Sequence, residues 1–80
     1  MPFDLFSDVI LTADVPQDDL KAGDVGTVVE RHQAAGSEGY SVEFFDMTGR
    51  TVAVPTLSAG ILRAPTQADR PAVRILAGTA

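Results

Sequence analysis

Tyr40-Ser41-Val42-Glu43-Phe44-Phe45 alternates apolar and polar residues, so that Tyr40, Val42 and Phe44 fall on one side of an extended chain and Ser41 and Glu43 on the other. A period of two marks a strand with one buried face. The same period sends Phe45 to the solvent side, as an aromatic anchor for a partner or as a cap over the open end of a barrel. Downstream, Asp46-Met47-Thr48-Gly49 reads as a short turn, and Arg50 to Val54 as a further strand with Val52 and Val54 inward. Pro55 ends that strand, because proline has no N–H to give to a ladder. Upstream, Val25 to His32 reads as a strand, joined to Tyr40 by a hairpin loop over Ala34-Ala35-Gly36-Ser37-Glu38-Gly39.

Further out, Ser7-Asp8-Val9-Ile10-Leu11-Thr12 is a β-rich apolar run and makes a first strand. Ala13 to Asp24 holds Pro16 and the aspartates Asp14, Asp18, Asp19 and Asp24, and reads as a long loop with one helical turn around Gln17–Lys21. Gly23-Asp24-Val25-Gly26 closes it, with glycines where the backbone must bend or be approached closely. Thr56-Leu57-Ser58-Ala59-Gly60 is short enough for a single 3₁₀ turn, and Ile61-Leu62-Arg63 makes the last strand. The expectation is an all-β fold: a small five-stranded SH3-like barrel over residues 1–64, with a short 3₁₀ turn before the last strand. A five-stranded OB-type barrel fits less well, since it wants a helix where only the turn at Asp46–Gly49 is present. Residues 65–80 are expected to be a linker and C-terminal tail, with Pro65 and Pro71 in the linker. Ala72 to Ala77 is apolar enough for a strand or one helical turn, either lying back on the barrel or frayed, or acting as an arm toward a partner or a second copy.

Eighty residues make one domain, and a domain of this size buries only roughly 60–65% of the surface of its unfolded chain. So thin a core leaves no room for a deep small-molecule pocket, and binding would use a surface groove or a flat patch. The formal net charge is −5, and the six basic residues Lys21, Arg31, Arg50, Arg63, Arg70 and Arg74 are scattered. Nucleic-acid binders neutralise phosphates with clustered Lys and Arg, so nucleic acid is a disfavoured partner. Negative charge steers toward basic partners, or serves solubility alone. The chain has no cysteine, which suits a reducing compartment. Met1 to Phe6 lacks the pattern of a signal peptide, and no apolar run approaches the ~18 residues that span a bilayer. A cytoplasmic protein without membrane contact is the expectation.

Catalytic chemistry finds little support. His32 is the sole histidine, and a metal site needs several converging ligands. Ser7, Ser37, Ser41 and Ser58 are present, but none sits in a nucleophile-elbow pattern. Asp14, Asp18, Asp19 and Asp24 lack the spacing of a calcium loop, and a solvated acidic loop accounts for them. Gly23-x-x-Gly26 is not followed by a helix that would offer phosphate its N-terminus. No enzyme activity, cofactor, metal or catalytic residue is expected.

Leu20-Lys21-Ala22-Gly23-Asp24-Val25-Gly26-Thr27-Val28-Val29-Glu30, with Tyr40-Ser41-Val42-Glu43-Phe44, Gly49-Arg50-Thr51 and the connector at Leu57, resembles a family of short bacterial domains of uncharacterised function. The likeness covers Leu5 to Arg63. More distantly, Gly-Asp-x-Gly-x-Val is similar to the KOW element of ribosomal and transcription-factor barrels, and to the β-subunit barrel of nitrile hydratases. The family resemblance implies an SH3-like barrel with a non-enzymatic role. Because its members stand beside predicted toxin genes, it also implies an antitoxin or immunity protein that binds a basic toxin. The contact candidates are Asp14, Asp18, Asp19, Asp24, Glu30 and Glu43, each as a partner for Lys or Arg, and Phe45. A KOW-like RNA or ribonucleoprotein binder and an accessory barrel stabilising a larger enzyme are the alternatives. A homodimer stays open.

Overall fold

The computed structural model describes residues 3–34 and 36–75. These form one antiparallel sheet of six strands: β1 (Asp8–Leu11), β2 (Val25–Ala34), β3 (Ser37–Phe45), β4 (Thr51–Ala53), β5 (Thr56–Ser58) and β6 (Leu62–Arg63). The sheet runs β4-β3-β2-β1-β6, and β5 also pairs with β3. One 3₁₀ turn, Pro16–Asp18, lies in the long loop after β1, and a second, Ala59–Ile61, leads directly into β6. An all-β chain with a 3₁₀ turn before its last strand is therefore what the alternation and the turn residues encode.

β3 is the spine. Tyr40, Val42 and Phe44 turn inward and are all but fully buried, as the period of two requires. They share one core cluster with Val9, Leu11, Val28, Leu57 and Leu62 from the other strands, and with Val15 and Leu20 from the long loop. Burying one such aliphatic or phenyl side chain contributes roughly 1.5–3 kcal/mol. Phe3 closes one end, its ring edge-on to Tyr40 at a centroid distance of 5.3 Å. Burial pushes the Tyr40 hydroxyl above its ordinary range, and the nearby Glu38 carboxylate adds to this. Among the described residues neither Tyr40 Oη nor Glu38 Oε2 closes a hydrogen bond of normal geometry.

The structure departs from strict alternation at three places. β2 carries an extra residue at Val29: Val28 pairs with Val42, but Glu30 pairs with Ser41. That bulge shifts the phase of the strand, so Glu30 and His32 leave the core side that Val28 occupies and join Ser41 on the outer face. A second bulge lies between β3 and β4, where Phe44 pairs with Ala53 and Phe45 with Thr51. It corrects the orientation expected for β4: Ala53 packs inward beside Phe44, whereas Val52 and Val54 are exposed. Third, Pro55 does not end the pairing. It lacks a donor, but its carbonyl still accepts from Val42 N–H (3.0 Å), and Thr56–Ser58 pairs onward with Gly39–Ser41 as a strand. The count of described strands is thus six rather than five.

The hairpin is also tighter than expected. β2 and β3 pair out to Ala34 and Ser37, with Gly36 at φ +78° in the turn, a conformation glycine adopts without steric cost; Ala35 lies outside the described residues. In the tail, residues 71–75 form neither strand nor helix, and 76–80 lie outside the description.

Gly26 leaves no room for a side chain. A Cβ there would sit 2.5 Å from Val42 Cγ1, 3.0 Å from the Glu43 carbonyl oxygen and 3.0 Å from Phe44 Cδ2. Val42 is fully buried and has nowhere to retreat. Gly26→Ala is expected to cost about 1–3 kcal/mol by overpacking and to lower the melting midpoint by roughly 4–8 °C for each of those kcal/mol. Thermal denaturation followed by circular dichroism checks this, and an unchanged midpoint would contradict the close approach.

Candidate functional site

The segment between β1 and β2 is ordered from both ends. Leu11 N–H donates to the Asp24 carbonyl (2.9 Å), and Gly23 N–H returns a bond to the Leu11 carbonyl (2.8 Å). Between these clasps Val15 and Leu20 exchange backbone bonds of 2.9 and 3.2 Å, and both side chains are buried in the core. The loop is thereby stapled by its only two buried apolar residues, with its carboxylates turned out. Gly23, at φ +97°, takes the third place of a turn closed by Asp24 N–H to the Lys21 carbonyl (2.9 Å).

Two of the four loop aspartates serve the loop itself. Asp14 Oδ1 accepts from Ala22 N–H (2.9 Å), and Asp24 Oδ2 accepts from Lys21 N–H (2.9 Å). Asp19 caps the first 3₁₀ turn in the left-handed conformation, its N–H bonded to the Pro16 carbonyl (3.1 Å); aspartate tolerates that region better than most residues. The carboxylates of Asp18 and Asp19 carry no hydrogen bond or ion pair with the described residues. All four aspartates predicted as contacts are therefore collected on one braced loop.

A cation already sits on it. The Arg74 guanidinium, fifty residues along the chain, donates from Nε to Asp24 Oδ1 (2.9 Å) and from Nη2 to Asp24 Oδ2 (2.5 Å). Nη2 also donates to the Asp19 carbonyl (2.9 Å). Such a two-pronged fork is the geometry that arginine offers a carboxylate and lysine does not. Desolvation by burial pushes the Asp24 carboxyl up, but the Arg74 guanidinium, the Lys21 N–H and the charges of Arg74 and Lys21 together outweigh it and hold it below its ordinary value of 3.8. Arg74 is raised in turn, by its bonds to Asp24 and by the charges of Asp24, Asp19 and Asp14. The pair is partly solvated, with side-chain exposures of 35% and 21%, and exposed ion pairs are worth only about 0.2–1 kcal/mol. A second pair, Arg63 to Asp69 (2.9 and 2.6 Å), folds the linker back on β6.

The remaining predicted contacts lie elsewhere. Register places Asp8, Thr27 and Glu43 in one rung of the outer face, and Glu30, Ser41 and Thr56 in the next. Each acid there has a neighbour: Thr27 Oγ1 donates to Asp8 Oδ1 (3.2 Å), Thr51 Oγ1 donates to Glu43 Oε2, and Glu30 Oε1 is 3.8 Å from His32 Nε2. His32 Nε2 also meets Ser41 Oγ at 2.8 Å, and Ser41 Oγ meets Thr56 Oγ1 at 3.2 Å, so a polar relay stitches β2, β3 and β5. Glu30 and Ser41 approach the same ring nitrogen, whereas the acid of a catalytic triad orients the imidazole from the opposite nitrogen. Among the described residues no three His, Asp or Glu side chains converge as metal ligands. Phe45 is 45% exposed, beside exposed Val52 and Met47. Sequence reasoning missed Asp8, Arg74 and the His32–Ser41–Thr56 relay. Of these only Asp8 carried a signal, as the acidic residue that opens the apolar run of the first strand.

No helix among the described residues is long and apolar enough to cross a membrane. The profile of one protein family, a domain of unknown function (DUF4926), matches residues 5–64, a span that takes in the whole sheet and the acidic loop but not Arg74. No curated protein and no solved structure matches the chain.

The Asp24–Arg74 pair has a defined pH signature. A carboxyl lowered in the folded chain supports docking fully above its ordinary value of 3.8, and that support is lost as pH falls through the lowered value. The backbone amide shifts of Val73 to Ile75 are expected to stay constant from neutral pH down to about pH 4 and to move to unfolded-chain values below it. A transition near neutral pH would contradict the assignment.

Proposed function

The chain belongs to this family of uncharacterised domains, and from that premise we propose that it is a non-catalytic protein-binding module, an antitoxin or immunity protein whose partner is a basic toxin. The observation that carries the proposal is the braced acidic loop: carboxylates held outward by backbone bonds and two buried anchors form a pre-ordered anionic surface. Preorganisation matters because a partner then need not meet the entropy cost of ordering the loop. Asp8, Glu30 and Glu43 extend the negative field along the outer face and Phe45 supplies an aromatic contact at its end. The same carboxylates repel phosphate, which argues against RNA as the partner.

The fold we assign is an SH3-like barrel over residues 1–64, with 65–80 as linker and tail. Its support is that β4 and β5 run along the same neighbour and count as one strand kinked at Val54–Pro55, which returns the number to five. The second 3₁₀ turn then brings β6 back to β1. The lack of cysteine accords with a cytoplasmic setting.

Capture of the tagged full chain from its own cells at low and moderate salt, followed by mass spectrometry, tests the role. One basic toxin-like or nuclease-like protein is the expected partner; ribosomal proteins with RNA, or no partner, would overturn it. With that partner in hand, reversing charge at Asp18 and Asp19 together is expected to slow association by about tenfold at low salt and much less at high salt. An association rate that does not change would remove the loop from the interface.

A further inference from the structure

We infer that the acidic loop is a guanidinium-binding site for an arginine side chain of the partner, and that Arg74 of the chain's own tail occupies it in competition. The inference rests on the binding role proposed above and names the chemistry of its recognition. Three observations meet at one place. The site has a fork-shaped acceptor, the two oxygens of Asp24, completed by the Asp19 carbonyl, so three acceptors converge on one guanidinium. Its frame is built without the tail, from Lys21 N–H on Asp24, Ala22 N–H on Asp14 and the Leu11–Gly23–Asp24 clasps. Its occupant comes from outside the family domain, which ends at residue 64.

The occupant is held loosely enough to be replaced. The residues flanking it, Val73 and Ile75, are exposed at 76% and 77% and enter no strand or helix, so the guanidinium is the principal contact of this stretch. Tethered through the short linker, Arg74 acts at an effective concentration on the order of millimolar. A basic surface of low affinity is thereby turned away, and a partner that adds further contacts displaces the tail. Lysine lacks the fork and fills the site poorly.

The probe is the tripeptide acetyl-Gly-Arg-Gly-amide and its lysine counterpart, titrated into the full chain and into Arg74→Gln while the backbone amides are followed by NMR. The arginine peptide is expected to shift Lys21, Ala22 and Asp24, with an affinity for R74Q about two- to sixfold above that for the native chain, the factor that an internal ion pair of about 0.2–1 kcal/mol imposes on a competitor; R74K is expected to fall between them. Adding Asp24→Asn to R74Q is expected to abolish the shifts. Equal affinity for native and R74Q chains, shifts confined to other residues, or equal binding of the lysine peptide would overturn the inference. Were the captured toxin to bind native and R74Q chains alike while still responding to charge at Asp18 and Asp19, the arginine competition would fall and the binding role would stand. Tripeptide binding at the loop with no protein partner in the cell would do the reverse.

Discussion

Val42 packs over the bare backbone of Gly26 across the β2–β3 ladder, filling space that a side chain at position 26 would need. With that space left free, Val42 and Phe44 line up with Tyr40 in one inward row that is all but fully covered. β3 is then free to use its whole length, holding β2 along one edge and β4 followed by β5 along the other. In a chain of 80 residues the core is too small to lose one member of that row without a large loss of stability. The segment between β1 and β2 depends on the same row, since Val15 and Leu20 end in the cluster that β3 organises.

That dependence ties the fold to the proposed binding surface. A twelve-residue acidic stretch in a free chain would be repelled by its own charge and would sample many conformations. Here the stretch loses that freedom to two apolar anchors and a pair of backbone clasps, while its carboxylates stay at the surface. The sheet supplies rigidity and the loop supplies charge, a division common to binding domains whose contact residues lie on connections. The outer face adds a second acidic row, in which hydroxyl groups of Thr27 and Thr51 hold Asp8 and Glu43 in place.

Much of this was legible in the chain. The period of two at Tyr40–Phe44 marks the buried row, and Gly23, Gly36 and Gly49 all take the positive φ for which glycine is suited. The crowding of aspartate between two strands marks the loop. What escaped has a common physical cause: information carried by pairing rather than by residue type. An extra residue at Val29 or Val52 looks like any other valine in a strand, yet it reverses which side the following residues occupy, so Val52 and Val54 face solvent and Glu30 and His32 leave the core side. Pro55 was a reasonable stop signal because it cannot donate, but the ladder here needs only its carbonyl. Arg74 bears no local mark at all, since its partners lie fifty and more residues away.

The most direct test of the account is whether the loop keeps its shape without the cation on it. Amide hydrogen exchange at Lys21, Ala22 and Gly23 in R74Q reads this, because those N–H groups bond to Asp24, Asp14 and Leu11 and none bonds to the tail. If the sheet and the buried anchors order the loop, protection in R74Q equals that in the native chain. If the three amides instead exchange at unfolded-chain rates once Arg74 is gone, the tail orders the loop and a pre-formed acidic surface does not exist.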